Sequence, residues 1–196
     1  QRQESMLATT YSIPIKYSLP TGKDPLTVEI DKRTFNADYE YTMIPKLSNH
    51  VFLTAKVPNS DGESLLNAPA SVYLGGTYTG SAFISQKMAS DTITLPLGVE
   101  TGIRVERTKV KDFSSKRTIG GRVTETIGWE ITLTNMRSTQ ASYSLKDQIP
   151  VSTDKNIQIK SKELSEGTLN QETGTVTWKG GLDSGKSQKV RLVYEV

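Results

Sequence analysis

Trp129-Glu130-Ile131-Thr132-Leu133-Thr134-Asn135 sets bulky apolar residues at 129, 131 and 133 against polar ones at 130, 132 and 134. The chain then runs on to Leu145-Lys146-Asp147-Gln148-Ile149-Pro150-Val151-Ser152. Side chains of an extended strand point alternately to its two faces, so one row of this stretch belongs in a core and the other in water. Pro150 then marks a turn, because proline has no N–H to give to a ladder. This is the scaffold of a β-sandwich rather than the surroundings of a catalytic group.

Outward from this strand the same style continues. Towards the amino terminus, runs rich in β-branched and aromatic residues predict strands at 11–17, 26–30, 39–44, 51–57, 70–74, 78–85 and 92–97. Turn formers separate them at Pro20-Thr21-Gly22, Asn59-Ser60-Asp61-Gly62 and Gly75-Gly76. Later strands are predicted at 103–110, 122–135, 140–149, 157–162, 175–178 and 189–196. Residues 1–9 are polar without periodicity and read as a linker, and residues 62–70 leave room for one helical turn. The expectation is an all-β chain of two β-sandwich-like halves, 10–100 and 101–196, divided near Gly98–Gly102. The second half reads as an immunoglobulin-like sandwich of about 90 residues, without the disulfide of antibody domains and with a long hairpin.

Composition removes several classes of chemistry. The chain has 196 residues, enough for a sizeable core, and no cysteine, so this sequence holds no disulfide, thiolate metal site or cysteine nucleophile. Lys and Arg total 24 against 21 Asp and Glu, a net charge of +3 that is too small and too dispersed to point to nucleic acid. No stretch approaches the roughly 20 apolar residues of a membrane-spanning helix. The start at Gln1-Arg2-Gln3-Glu4, without an initiator methionine, reads as a mature fragment from which a targeting segment has been removed.

Single residues add little chemistry. His50 is the one histidine, which rules out a multi-histidine metal site, and its place beside a turn in Leu47-Ser48-Asn49-His50-Val51 reads as a strand rim. The glycine pairs at 75–76, 120–121 and 180–181 lack the strand-to-helix setting and Lys-Ser/Thr of a phosphate loop, so hairpin turns explain them. Asp147 and Asp154 flank Gln148-Ile149-Pro150-Val151-Ser152 and are expected to accept backbone N–H groups in a turn rather than to bind calcium or act as a catalytic pair. Trp129 and Trp178 share strand faces with aliphatic residues and read as core, not as a sugar platform. Tyr39 and Tyr41 stay open between the two.

Several ordered motifs resemble one family. They are Tyr-Ser-Ile-Pro-Ile-Lys-Tyr-Ser-Leu-Pro (11–20), Tyr-Glu-Tyr-Thr-Met-Ile-Pro-Lys-Leu (39–47), Val-Phe-Leu-Thr-Ala (51–55), Leu-Leu-Asn-Ala-Pro-Ala (65–70), Gly-Thr-Tyr-Thr-Gly (76–80), Leu-Pro-Leu-Gly-Val (95–99), Asp-Gln-Ile-Pro-Val-Ser (147–152) and Gly-Thr-Val-Thr-Trp (174–178). Together they are similar to the mucoidy inhibitor A family, and more narrowly to its carboxy-terminal domain DUF4139 in a form like those of Bacteroidetes. The resemblance covers nearly everything after residue 9. It implies an exported, periplasmic or envelope-associated protein with an amino-terminal β domain and a coiled coil ahead of this region, through which a full-length parent could oligomerise. It implies no catalytic residues. Asn67 departs from the family, where glycine is common, and the sequence ends at Tyr194-Glu195-Val196, short of the usual tail.

The reading that follows is a noncatalytic structural or interaction module of a bacterial envelope protein, with no cofactor and no metal. A glycan-binding module is the second reading, and a carboxylate-dependent hydrolase the third. Charge is organised in one place, residues 104–122, where seven basic residues face two acids for a local +5. A solvated hairpin is the plain explanation. The sharper one makes Lys109, Lys111, Lys116 and Arg117 an arm for an anionic envelope partner, such as an acidic polysaccharide, lipid head groups or an envelope protein.

Overall fold

A computed structural model describes residues 2–4, 9–11, 13, 16–18, 21–22, 27–30, 32, 34–58, 68–84, 92–111, 115–119 and 121–196. The chain is all-β, with no α-helix among the described residues. Two compact units separate at residues 36 and 37. In the first, β1 (Arg2–Glu4) pairs antiparallel with β2 (Thr9–Tyr11), so the expected linker carries a short ladder. Its polar residues give no hydrophobic period from which pairing could be read. The strand expected at 26–30 is absent over 27–30, which lie outside any strand; of the helical turn expected at 62–70, residues 62–67 lie outside the described residues and 68–70 are extended as the start of a strand.

The second unit, residues 37–196, contains β3 (Asp38–Ile44), β4 (Ser48–Pro58), β5 (Ala68–Leu74), β6 (Thr77–Ile84), β7 (Thr92–Glu100), β8 (Ile103–Lys109), β9 (Ser115–Ile119), β10 (Arg122–Asn135), β11 (Ala141–Gln148), β12 (Lys160–Glu163), β13 (Thr168–Leu169), β14 (Thr175–Leu182) and β15 (Ser187–Glu195). One sheet runs β12-β15-β10-β8, with β9 paired to β10 beyond β8. The other runs β13-β14-β11-β3-β4-β7, and β5 and β6 form a hairpin of their own. Strands on both sides of residue 100 therefore share a sheet, with β11 beside β3 in a parallel pair at Tyr143↔Tyr41. The expected division into 10–100 and 101–196 is not how the described chain packs. The sandwich of the second half is completed by strands of the first.

The core shows why. Val105, Ile131, Leu133 and Leu192 are fully buried in one sheet and cluster with Met43, Val51, Leu145 and Val176 of the other. Burying each such side chain contributes about 1.5–3 kcal/mol, so the two first-half residues Met43 and Val51 belong to the energetics of the second half. Trp178 is buried as expected, and its indole N–H donates to the Leu164 carbonyl at 2.6 Å. Gly167 permits that approach, because a Cβ there would lie 2.5 Å from the same nitrogen. Trp129 is only half-buried, packed against the core at its end.

Asn135 continues the inward row of β10 and is fully buried. Its amide donates to the carbonyls of Leu182, Thr139 and Asp183 at 2.8–3.2 Å and its oxygen accepts the Arg137 N–H, which ties the β10–β11 turn to β14. At the opposite end, Gly174 has φ +70° and a Cβ there would sit 2.3 Å from the Ile149 carbonyl oxygen, so only glycine lets its own carbonyl accept the Ile149 N–H.

Candidate functional site

Polar groups meet in the interior at one place. Alternation along β8 buries Ile103 and Val105, and the next residue in that row is Arg107. Its guanidinium carbon lies 3.5 Å from the Trp129 ring centroid, and its Nε donates to Asp147 Oδ2 at 2.6 Å while an Nη donates to Oδ1 at 3.3 Å. Asp147 stands on β11, in the facing sheet, with its carboxylate wholly buried, and Oδ1 also accepts the Gln148 N–H at 2.6 Å. This forked, desolvated pair is a clasp between the sheets. Both carboxylate oxygens are engaged and neither reaches solvent, so the group has no face to offer a substrate. The turn role expected for Asp147 is thus replaced by an ion pair, although it does accept a backbone N–H. Tyr194 packs beside the clasp, and burial raises its hydroxyl pKa, against the opposing effects of its bond with Trp129 and of Arg107.

Asp154 does what its position suggests. Its Oδ1 accepts the Asn156 N–H at 2.8 Å, and Ser152 Oγ accepts the Asp154 N–H at 3.0 Å, closing a local turn. The loop carrying them borders two depressions. A small one of about 170 Å³ is lined by Ile149, Val151, Ile157, Ile159 and Leu169. A larger one of about 750 Å³ includes Val123, Glu125, Lys155, Lys160 and Glu195. Glu195 pairs in register with Thr126, so alternation puts Glu125 and Glu195 on opposite faces of the sheet, and Glu195 is bound by Lys162 at 2.9 Å. Those two carboxylates do not face each other across a cleft.

His50 is exposed, and its Nδ1 is 2.7 Å from Ser48 Oγ two residues away on the same strand. Among the described residues no carboxylate is hydrogen-bonded to the ring, and no three His, Asp or Glu side chains gather to hold a metal. No helix among them is long and apolar enough to cross a membrane.

What the fold leaves open lies on its surface. Strand β9 and the 103–109 segment line one side of β10, forming the long hairpin, and nothing pairs with their other side among the described residues. Arg104, Lys109, Lys111, Lys116 and Arg117 are all exposed there, and none is ion-paired among the described residues. Lys116 and Arg117 are consecutive in β9, opposite Glu125 and Thr124, so they project to opposite faces. The four residues singled out from sequence therefore line an edge, not one face. The β5–β6 hairpin is the second open surface: residues 68–84 carry no charge, and Tyr73, Tyr78 and Phe83 are more than half exposed on one side of it. The rings of Tyr73 and Tyr78 stand edge-on at 63°, not as a flat platform. Arg107 is a cation of the charge run that is turned to a structural contact, which reading the run alone misses. The available signal was its phase, a cation in a buried row.

Comparison with known proteins gives a fold family without a reaction. The family model described as "Domain of unknown function (DUF4139)" matches residues 1–196. "Protein F37C4.5" of Caenorhabditis elegans is 22% identical over 178 residues, covering 88% of this chain and 32% of that protein. The chain thus spans about a third of the length of that relative. No solved structure matches.

Proposed function

Since the chain belongs to the DUF4139 family, a domain of unknown function, we propose that it is a noncatalytic interaction module within a longer bacterial envelope protein. The observation that carries this reading is the distribution of polar groups. The interior groups Arg107–Asp147 and Asn135 are engaged in contacts between strands, whereas Arg104, Lys109, Lys111, Lys116 and Arg117 are exposed along a sheet edge with no ion pair among the described residues. A module of this kind recognises an anionic partner by charge, and such attraction weakens with salt as the Debye length contracts to about 8 Å at physiological ionic strength. The envelope setting rests on the resemblance to mucoidy inhibitor A and is tested separately, by fractionating cells that carry the parent protein.

The binding test compares retention on an immobilised anionic polymer at low and high salt, for the native chain and for a variant with Lys109, Lys111, Lys116 and Arg117 changed to Glu. Native retention at low salt that falls at high salt, and little retention of the variant, is the expected outcome. Equal retention of both would reject the edge as a contact surface. The exposed aromatics of β5–β6 favour a second reading, a glycan-binding hairpin, for which Tyr73→Ala and Tyr78→Ala should abolish retention on neutral polysaccharide.

A further inference from the structure

The hydrogen-bond phase of β10 defines which backbone groups the basic edge presents. Residues directly opposite each other in an antiparallel pair alternate between bonded and non-bonded pairs, so each residue's N–H and C=O both point to one neighbour. On β10 the odd residues bond towards β15: Glu125 exchanges both bonds with Val196 at 2.9 and 3.0 Å, and Asn135 N–H reaches the Lys186 carbonyl. Even residues bond the other way, as Gly128 does with Val110 and Met136 with Gly102. In β9, Ser115, Arg117 and Ile119 lie opposite Thr126, Thr124 and Arg122 and use up their backbone groups on them. Lys116 and Thr118 therefore turn their N–H and C=O outward, as do Arg107 and Lys109 in β8, opposite Ile131 and Trp129.

From this we infer that the β8–β9 edge takes its partner as an added β-strand, an extended acidic polypeptide segment. The inference rests on the anionic-partner reading and names the class of partner. Two observations separate it from the alternatives. Lys109 and Lys116 share the row that leads from the core, whereas Arg104 and Arg117 share the outer row, so cations flank the edge on both faces. A strand lying along the edge presents alternate side chains to both faces and meets cations on each. A membrane surface or a flat polymer would meet only half of them. Lysines on an edge also discourage edge-to-edge association, but that protection works with either sign of charge. The edge also carries the exposed Glu106 in its outer row, but its cations outnumber that acid, so it repels a second copy of itself and selects an acidic strand.

The test uses the full chain and a short peptide alternating Glu and Thr, the same peptide N-methylated at every internal amide, and a polyuronate. In the protein, Thr118→Pro removes an outward N–H without changing charge at an exposed edge position where proline is tolerated. Binding is followed by fluorescence anisotropy at low salt, with thermal melts confirming that each variant is folded. Strand addition requires that N-methylation and Thr118→Pro each weaken peptide binding by about tenfold, the worth of one to two net hydrogen bonds. If the methylated peptide and the Thr118→Pro variant bind as tightly as their parents, or the polyuronate outcompetes the peptide, strand addition is overturned and the anionic reading survives. If the four-Glu variant binds both probes as the native chain does, the anionic reading fails as well.

Discussion

Arg107 occupies a position where the alternation of β8 calls for an apolar side chain, and its cost is met by Asp147 and the Trp129 ring. Removing one partner of such a pair strands the other charge in the interior. Asp147→Asn should therefore destabilise the chain by about 3–5 kcal/mol, while Arg107→Met with Asp147→Leu should recover most of that loss. Denaturant unfolding of the single and double variants measures it, and additive losses would mean the pair is not coupled. Trp178→Ala removes a large core side chain and should cost about 3–5 kcal/mol, read the same way. Burial pushes the hydroxyls of Tyr143 and Tyr194 above the ordinary tyrosine range, partly opposed in Tyr143 by its bond to Gln188. Their folded pKa values are raised, so their contribution to stability is complete below the unfolded value near pH 10 and is lost as pH climbs through the folded values. Melting temperature should fall above about pH 10 more steeply for the native chain than for the Tyr143→Phe, Tyr194→Phe variant.

At the scale of elements, period-two patterns made most strands of the second unit legible. Strand β10 follows 122–135 as read, because Ile131 and Leu133 are bulky enough to declare the inward row. Strand β9 escaped because Ser115-Lys116-Arg117-Thr118 has no apolar residue to mark a phase, and it forms through its ladder to β10 rather than through burial. The same lack of phase hid β1. The candidate site was legible only in part: the cluster of charge could be counted, but its arrangement along an edge follows from the pairing of β8 and β9 with one long strand. Tyr73 and Tyr78 face solvent on the β5–β6 hairpin, so replacing both with Ser should cost no more than the roughly 0.5–1.5 kcal/mol of an aromatic pair. A larger loss in a thermal melt would place those rings in a packed interior.

For the molecule as a whole, the parallel pairing of β3 with β11 binds strands from either side of residue 100 into one unit, residues 37–196, a long-range contact that local patterns do not carry. A chain restricted to residues 101–196 should lack a cooperative thermal transition, because it loses β3, β4 and β7 from one sheet and Met43 and Val51 from the core. Residues 37–196 should retain one. That unit holds its polar interior closed and offers its edge, so the most direct measurement is an amide-resolved NMR titration of the native chain with the alternating Glu-Thr peptide. Strand addition should concentrate the shifts at residues 107–109 and 115–119 and slow hydrogen exchange of the outward amides of Lys116 and Thr118. Shifts centred instead on the depression at Lys155–Lys160, or on the residues around Asp147, would contradict it.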